Sequence, residues 1–389
     1  MFKKILIINM LFYLPMWMSK ILHPIYWESS GHIDLFSYSY IAMAIVGTLT
    51  FSYTPLIRKF GLYHCLIIGF IFYAVGLSLR GFPINLSISL ISGISAGIGA
   101  NIITLCSQGF ILEAEKNERK KLILHSGNIL SISQGVGIFL SGILVFFISF
   151  FSENSYQISL IIIALITLAG VFFVPTHIKK EDPEIGKSEN NNCSITYYSF
   201  VFVNKKSILY CFISMCLLGV VWSIIIPTFP IFLKNAKLPP EMIGLTLSLG
   251  VFLGILVKNA YASLTKNNAY HPMLISLSTS VSIYLFYISL KIGSIYLIFS
   301  SFILFSIFRT LNSFIIDILK FSMTRKEPTI LLLGLIQTFF LLGDVLGGIF
   351  MPFIYQNNIL LDYPFIFPLL ISSGMFFFLI AKKEFNKAT

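Results

Sequence analysis

A carboxylate, a guanidinium and an ammonium inside long apolar runs are the residues of this sequence most able to do chemistry. Asp344 stands in the run 329–354, Arg309 in 294–320 and Lys20 in 4–26. An ionised group at the centre of a hydrocarbon layer costs several kcal/mol, so each of the three needs a partner or a task. Asp344, about 15 residues into its run, is the only carboxylate well inside one. A carboxyl at that depth would exchange protons or bind substrate, or else fix neighbouring helices through an ion pair. Arg309 lies too deep to reach either surface easily. It would pair with Asp344 or clamp an anionic group, which suits a planar guanidinium. Lys20 sits beside His23 and one turn before Pro24, where it would either extend outward or meet substrate.

The elements that position these groups follow from composition. The chain has 389 residues, 56% hydrophobic and 11% charged, against about 25% charged in a soluble domain. Such sparse charge excludes a water-soluble fold, and such high hydrophobicity excludes a disordered chain. Apolar runs long enough to cross a bilayer as helices recur at 4–26, 35–57, 62–80, 85–112, 122–150, 155–175, 208–233, 241–262, 271–290, 294–320, 329–354 and 363–381. Barrel strands would need only about 10 residues each. The expected fold is an all-α membrane protein with twelve transmembrane helices. The first run follows Lys3 and Lys4 but has no small-residue cleavage site, so it reads as an uncleaved first helix.

With the N-terminus in the cytoplasm, 20 of the 27 basic residues fall in inner segments. Arg80, Lys234, Lys237 and Lys291 fall outside, and Lys20, Lys258 and Arg309 remain within spans. That bias places both termini in the cytoplasm of a multi-pass protein of the cell's inner (plasma) membrane. It also explains the net charge of +11 without nucleic acid, because the basic residues are spread over many loops. Lys258, near the inner end of its span, would snorkel. Glu113 and Asp317, at the inner ends of the fourth and tenth spans, would pair with Lys116 and Lys320 as gate contacts. The five cysteines show no metal spacing and read as packing residues.

Residues 176–207 break the pattern with charges and the polar run Ser188-Glu189-Asn190-Asn191-Asn192, and read as a cytoplasmic linker between bundles 1–175 and 208–389. The two bundles echo each other. Pro24-Ile25-Tyr26 matches Pro230-Ile231-Phe232, Phe110-Ile111-Leu112-Glu113 matches Phe314-Ile315-Ile316-Asp317, and Gly137 with Ser141-Gly142 matches Gly343 with Gly347-Gly348. A shared offset of 204 to 208 residues points to an internal duplication.

Twelve spans in two pseudo-symmetric six-helix bundles joined by a charged linker resemble the major facilitator superfamily over the whole chain. The family's loop signature after the second span, G-x-L-A-D-R-x-G-R-R, maps onto Thr54–Tyr63: Leu56, Lys59 and Gly61 fit, while Thr54 and Arg58 replace the first glycine and the acid. The family's antiporters carry G-x-x-x-G-P-x-x-G-G in the fifth span. Ser133, Gly137, Ser141 and Gly142 follow that spacing without the proline, and Gly343, Asp344, Gly347 and Gly348 follow it in the eleventh. The same glycines serve close helix packing. The resemblance implies that spans one, four, seven and ten line a central cavity. Lys20, Arg309, Asn101, Gln108, Trp222 and Asn312 would then face substrate, with Trp17 and Tyr13 beside Lys20. Gln134 and Gln337 would bind substrate or bridge helices.

No phosphate-binding GxxxxGK[ST] loop, HExxH or Ser/His/Asp constellation stands out, so neither ATP-driven transport nor enzymatic activity is expected. The function expected is secondary active transport of a small amphipathic or partly anionic solute by alternating access, by proton-coupled efflux. Proton-coupled uptake of an anionic or peptide-like nutrient is the alternative, and a membrane-embedded non-transport protein is the alternative of another class. The partners expected are the solute, protons and the bilayer, with no cofactor, metal or nucleic acid, and the chain acting as a monomer.

Overall fold

Apolar side chains throughout leave the backbone no water to bond, so each crossing must satisfy its own amides, and the helix does so within one segment. The computed structural model describes residues 2–49, 53–83, 85–113, 116–174, 205–264, 269–323, 329–356 and 366–385. Its helices run in chain order α1 (Phe2–Ser29), α2 (Ile33–Thr48), α3 (Thr54–Leu79), α4 (Leu86–Glu113), α5 (Lys116–Ser149), α6 (Ser155–Ala169), α7 (Lys205–Asn235), α8 (Pro240–Leu264), α9 (His271–Ile292), α10 (Ile295–Met323), α11 (Thr329–Gln356) and α12 (Ile366–Phe385). Among the described residues ten helices are long and apolar enough to cross a membrane, and α2 and α11 carry shorter apolar stretches. The fold is an all-helical membrane protein, as the apolar runs imply.

The second run ends sooner than 57. Helix α2 stops at Thr48, and a short helical segment opens at Thr54 with Pro55 in its first turn. Proline supplies no amide and excludes helical geometry before it, so it starts a helix rather than continuing one. Gly61 then breaks α3, with φ +78° and ψ 158°, a region that only glycine enters without strain. The membrane-crossing part of α3 therefore begins at Leu62, and the loop segment before it lies at an angle. One turn of 3-10 helix, Gly170–Phe173, ends α6.

Helix contacts repeat six positions along the chain. Helix α1 packs on α5 and α6 as α7 packs on α11 and α12. Helix α4 packs on α2 and α3 as α10 packs on α8 and α9, and the α3–α6 contact recurs as α9–α12. The first six helices meet the last six through α2–α11, α5–α8 and α1–α7. Small residues allow these approaches. A Cβ on Gly343 would collide with the Cys216 carbonyl and one on Gly219 with the Phe340 carbonyl, so α7 and α11 touch backbone to backbone. A Cβ on Gly137 would meet the Leu14 carbonyl of α1 at 2.6 Å, and one on Gly142 would collide with the Pro240 carbonyl of α8. The glycines at the antiporter-like spacing are thus contact points between helices.

Candidate functional site

Helix periodicity sets two faces on α1. Tyr13, Trp17 and Lys20 share one, and Ser19, His23 and Trp27 share another. The first face meets α7, α10 and α11. The Lys20 ammonium lies 4.5 Å from the centre of the Trp17 ring. The Arg309 guanidinium of α10 lies 5.9 Å from the Trp17 ring and 5.4 Å from that of Trp222 on α7. Two indoles from opposite halves of the chain thus share one cation, at distances where the ring quadrupole attracts it. Phe305, one turn before Arg309 on α10, packs edge-on against Trp222 with centroids 6.1 Å apart.

Asp344 completes the cluster from α11. It is buried, one carboxylate oxygen has no hydrogen-bond partner, and its electrostatic neighbours are Lys20 and the Tyr40 hydroxyl of α2. At 1.5 Å per residue, Lys20, Asp344 and Arg309 lie about 14, 18 and 21 Å from the ends of their helices near the α1–α2 turn, all well inside their helices. Asp344 therefore has Lys20 as its electrostatic neighbour across the two halves, and Arg309 is not among the groups acting on it. Arg309 takes its contacts from aromatic faces, and among the described residues no ion pair engages its guanidinium. The indole nitrogen of Trp17 is also buried without a partner.

Other expected site residues are placed differently. Asn312 is fully buried against α9, where the Ser276 hydroxyl donates to its Oδ1 at 3.3 Å, so it faces inside the second set of helices instead of the cluster. Residue 312 lies three positions past Arg309, which turns it by about 60° off the Arg309 direction. Asn101 donates to the Gly97 carbonyl of its own helix at 2.7 Å. Tyr13 is half-buried beside Phe12, with ring centroids 4.9 Å apart. Gln134 is half-buried on α5 and Gln337 exposed on α11, and neither hydrogen-bonds the cluster. Asp317 is an electrostatic neighbour of Lys258 of α8. The side chains of Gln108, Glu113, Lys116 and Lys320 lie outside the described residues.

Near the α1–α2 turn the halves close against each other. Trp27, Phe36, Ile231 and Met351 form a buried apolar plug. Beside it the Lys234 ammonium of α7 donates to the Glu28 carboxylate of α1 at 2.7 Å. Sequence reasoning passed over this pair and over Tyr40. The signal for the pair was present: Glu28 and Lys234 stand 206 residues apart, the offset of the Pro24 and Pro230 match. Arg80, at the end of α3, is buried among α1, α2 and α3.

A helical bundle that gathers opposite charges and two indoles at mid-depth, on helices from both halves of a repeated chain, defines a polytopic membrane carrier. The sequence model of the Major Facilitator Superfamily matches residues 5–326, and the chain belongs to that family. It is accordingly a multi-pass membrane protein and a secondary transporter working by alternating access. No curated protein sequence matches it. Its fold is similar to that of a D-xylose-proton symporter, with TM-score 0.69 and 14% identity over 98% of this chain and 96% of the other. The E. coli xylose transporter XylE in an inward-open conformation gives TM-score 0.69 and 12% identity, covering 99% and 96%. A bacterial homologue of the iron transporter ferroportin in an inward-facing state gives 0.66 and 15%, covering 98% of each chain.

Proposed function

We propose that the protein exports a small, partly anionic, amphipathic organic solute in exchange for protons. The observation that carries this reading is the gathering of Lys20 and Arg309 against the Trp17 and Trp222 rings, with Asp344 as the buried electrostatic neighbour of Lys20. Arg309 and Lys20 bind the anionic group, the indoles cover the apolar part, and Asp344 carries the proton. When Asp344 is ionised it holds Lys20 and joins the two sets of helices. When it is protonated, Lys20 is released to the solute, so proton and solute occupy the same charges in turn. Glu113 and Asp317 act as gate contacts at the opposite end from the apolar plug.

The repeated helix contacts support a division into bundles 1–175 and 208–389 joined by linker 176–207. The distribution of basic residues supports cytoplasmic termini, an inner-membrane location and a plug that faces outward. We take the protein as a monomer, the typical state of its family. Export is supported by the antiporter-like spacing of Gly137, Gly142, Gly343 and Gly347. One observation favours a second reading, uptake together with protons: a neighbour in fold is a D-xylose-proton symporter.

The test is transport in proteoliposomes with an imposed pH gradient, screened with small organic anions. Solute moving against the proton gradient supports export, and solute moving with it supports uptake. Asp344→Asn is expected to abolish the response to the gradient while leaving solute exchange across the membrane. A full gradient response in Asp344→Asn would remove Asp344 as the proton site.

A further inference from the structure

Behind the central cluster, on the second face of α1, lies a cation that the transport reading does not use. Arg80 ends α3 and is only 5% exposed. Its carbonyl accepts the Trp27 indole N–H at 2.6 Å. Its guanidinium turns inward, donating to the Ser19 hydroxyl at 2.7 Å and to the Met43 sulfur at 3.4 Å. The side chain is therefore fixed at both ends before any ligand arrives. A hydroxyl and a thioether carry no charge, and among the described residues no carboxylate comes within ion-pair distance of Arg80.

The groups around it are short of acceptors. Arg80 Nε, the Tyr73 hydroxyl of α3 and His23 Nε2 of α1 are buried without hydrogen-bond partners. Both Tyr73 and His23 are electrostatic neighbours of Arg80, and Lys20 adds a further positive charge from the adjoining face. The Ser39 hydroxyl, one turn from Met43 on α2, is also buried and unpartnered. A buried arginine left uncompensated costs several kcal/mol, and an unsatisfied buried donor about 1–3 kcal/mol more. One small anion offsets both at once, because it brings negative charge and accepts several hydrogen bonds.

We propose that Arg80, with Ser19, His23 and Tyr73, forms a binding site for a small monovalent anion, either chloride or the carboxylate of a small solute. Both candidates present one negative charge and accept N–H and O–H donors, and neither needs a metal or a second protein. Because Ser19 adjoins Lys20, an anion here also lowers the positive potential at the central cluster.

The test is thermal unfolding of the full-length protein in lipid nanodiscs, at constant ionic strength with gluconate as the bulky reference anion. Chloride or acetate is then titrated in. A saturable rise in unfolding temperature with chloride identifies a halide, and one with acetate but not chloride identifies a carboxylate. Either supports the site if Arg80→Met abolishes the rise. Ser19→Ala, which keeps the charge but removes the hydroxyl that accepts from Arg80 and donates its own proton to the anion, is expected to move the half-saturating concentration up about tenfold, one hydrogen bond to a charged group. Arg80→Lys keeps a charge and is expected to retain a weaker rise. Equal unfolding temperatures in gluconate, chloride and acetate, or an unchanged rise in both Arg80→Met and Ser19→Ala, would overturn the proposal.

Discussion

Arg309 carries its charge between two indoles, so its removal tests the binding role apart from proton coupling. Arg309→Ala is expected to weaken solute binding 10- to 100-fold, since a hydrogen bond to a charged group contributes about 1.5–3 kcal/mol. Arg309→Lys should recover only part of this, because an ammonium loses the planar, two-pronged geometry. Half-saturation in solute counterflow across proteoliposomes measures both, and equal values for all three proteins would exclude Arg309 from the site. Lys20, Arg309 and Asp344 were legible in the sequence because hydrocarbon makes any buried charge conspicuous. Asn312 was misplaced for a different reason. Naming the helix that a residue stands on leaves open the direction it faces, and its turn away from Arg309 buries it against Ser276. Arg80 was hidden by its position at the end of an apolar run, where most arginines meet water. Tyr40 offered no signal, since tyrosines are frequent in this chain, which has 18.

At the scale of helices, the apolar runs set the order of elements, while their ends depended on single residues. Pro55 opens a new helical segment after the early end of α2, and Gly61 sets the start of the membrane-crossing part of α3. Both residue types were visible in advance. What was not visible is that Gly61 adopts positive φ, because a glycine in a loop signature fits equally well as a packing residue. Gly61→Ala is expected to destabilise the protein by about 1–3 kcal/mol through backbone strain alone. The contacts of α7 with α11 depend on absent side chains instead. Gly219→Ala and Gly343→Ala each force a methyl group into a facing carbonyl, and each should cost about 1–3 kcal/mol. Gly127, with nothing within 4 Å of its added Cβ, is the control and should accept alanine without loss. Unfolding temperatures of the four variants in one detergent give the comparison. If Gly127→Ala falls as far as Gly343→Ala, the loss is not specific to the helix contacts and close packing does not govern it, since helix propensity alone favours alanine over glycine.

Across the whole molecule, duplication places equivalent residues of the two halves near a common axis, and Glu28 and Lys234 use that placement. They occupy matching positions on α1 and α7, 206 residues apart, with opposite charges. Helices that must separate during alternating access therefore share an ion pair beside the apolar plug of Trp27, Phe36, Ile231 and Met351. The pair is half-exposed, with side-chain exposures of 29% and 21%, so its worth is about 0.2–1 kcal/mol. That is too small to hold the fold together, yet large enough to shift two conformations of similar free energy by up to about fivefold. Glu28→Gln and Lys234→Met should each raise the population separated at this end, and the exchanged pair Glu28→Lys with Lys234→Glu should restore the wild-type balance. Spin labels at Ser30 and Asn235, on a chain whose five native cysteines are replaced, report that separation as a distance distribution. A longer-distance population that grows in the single variants and shrinks in the exchanged pair identifies the latch. Identical distributions in all four proteins would assign the closure to the apolar plug, and Trp27 would then be the residue whose truncation opens this end.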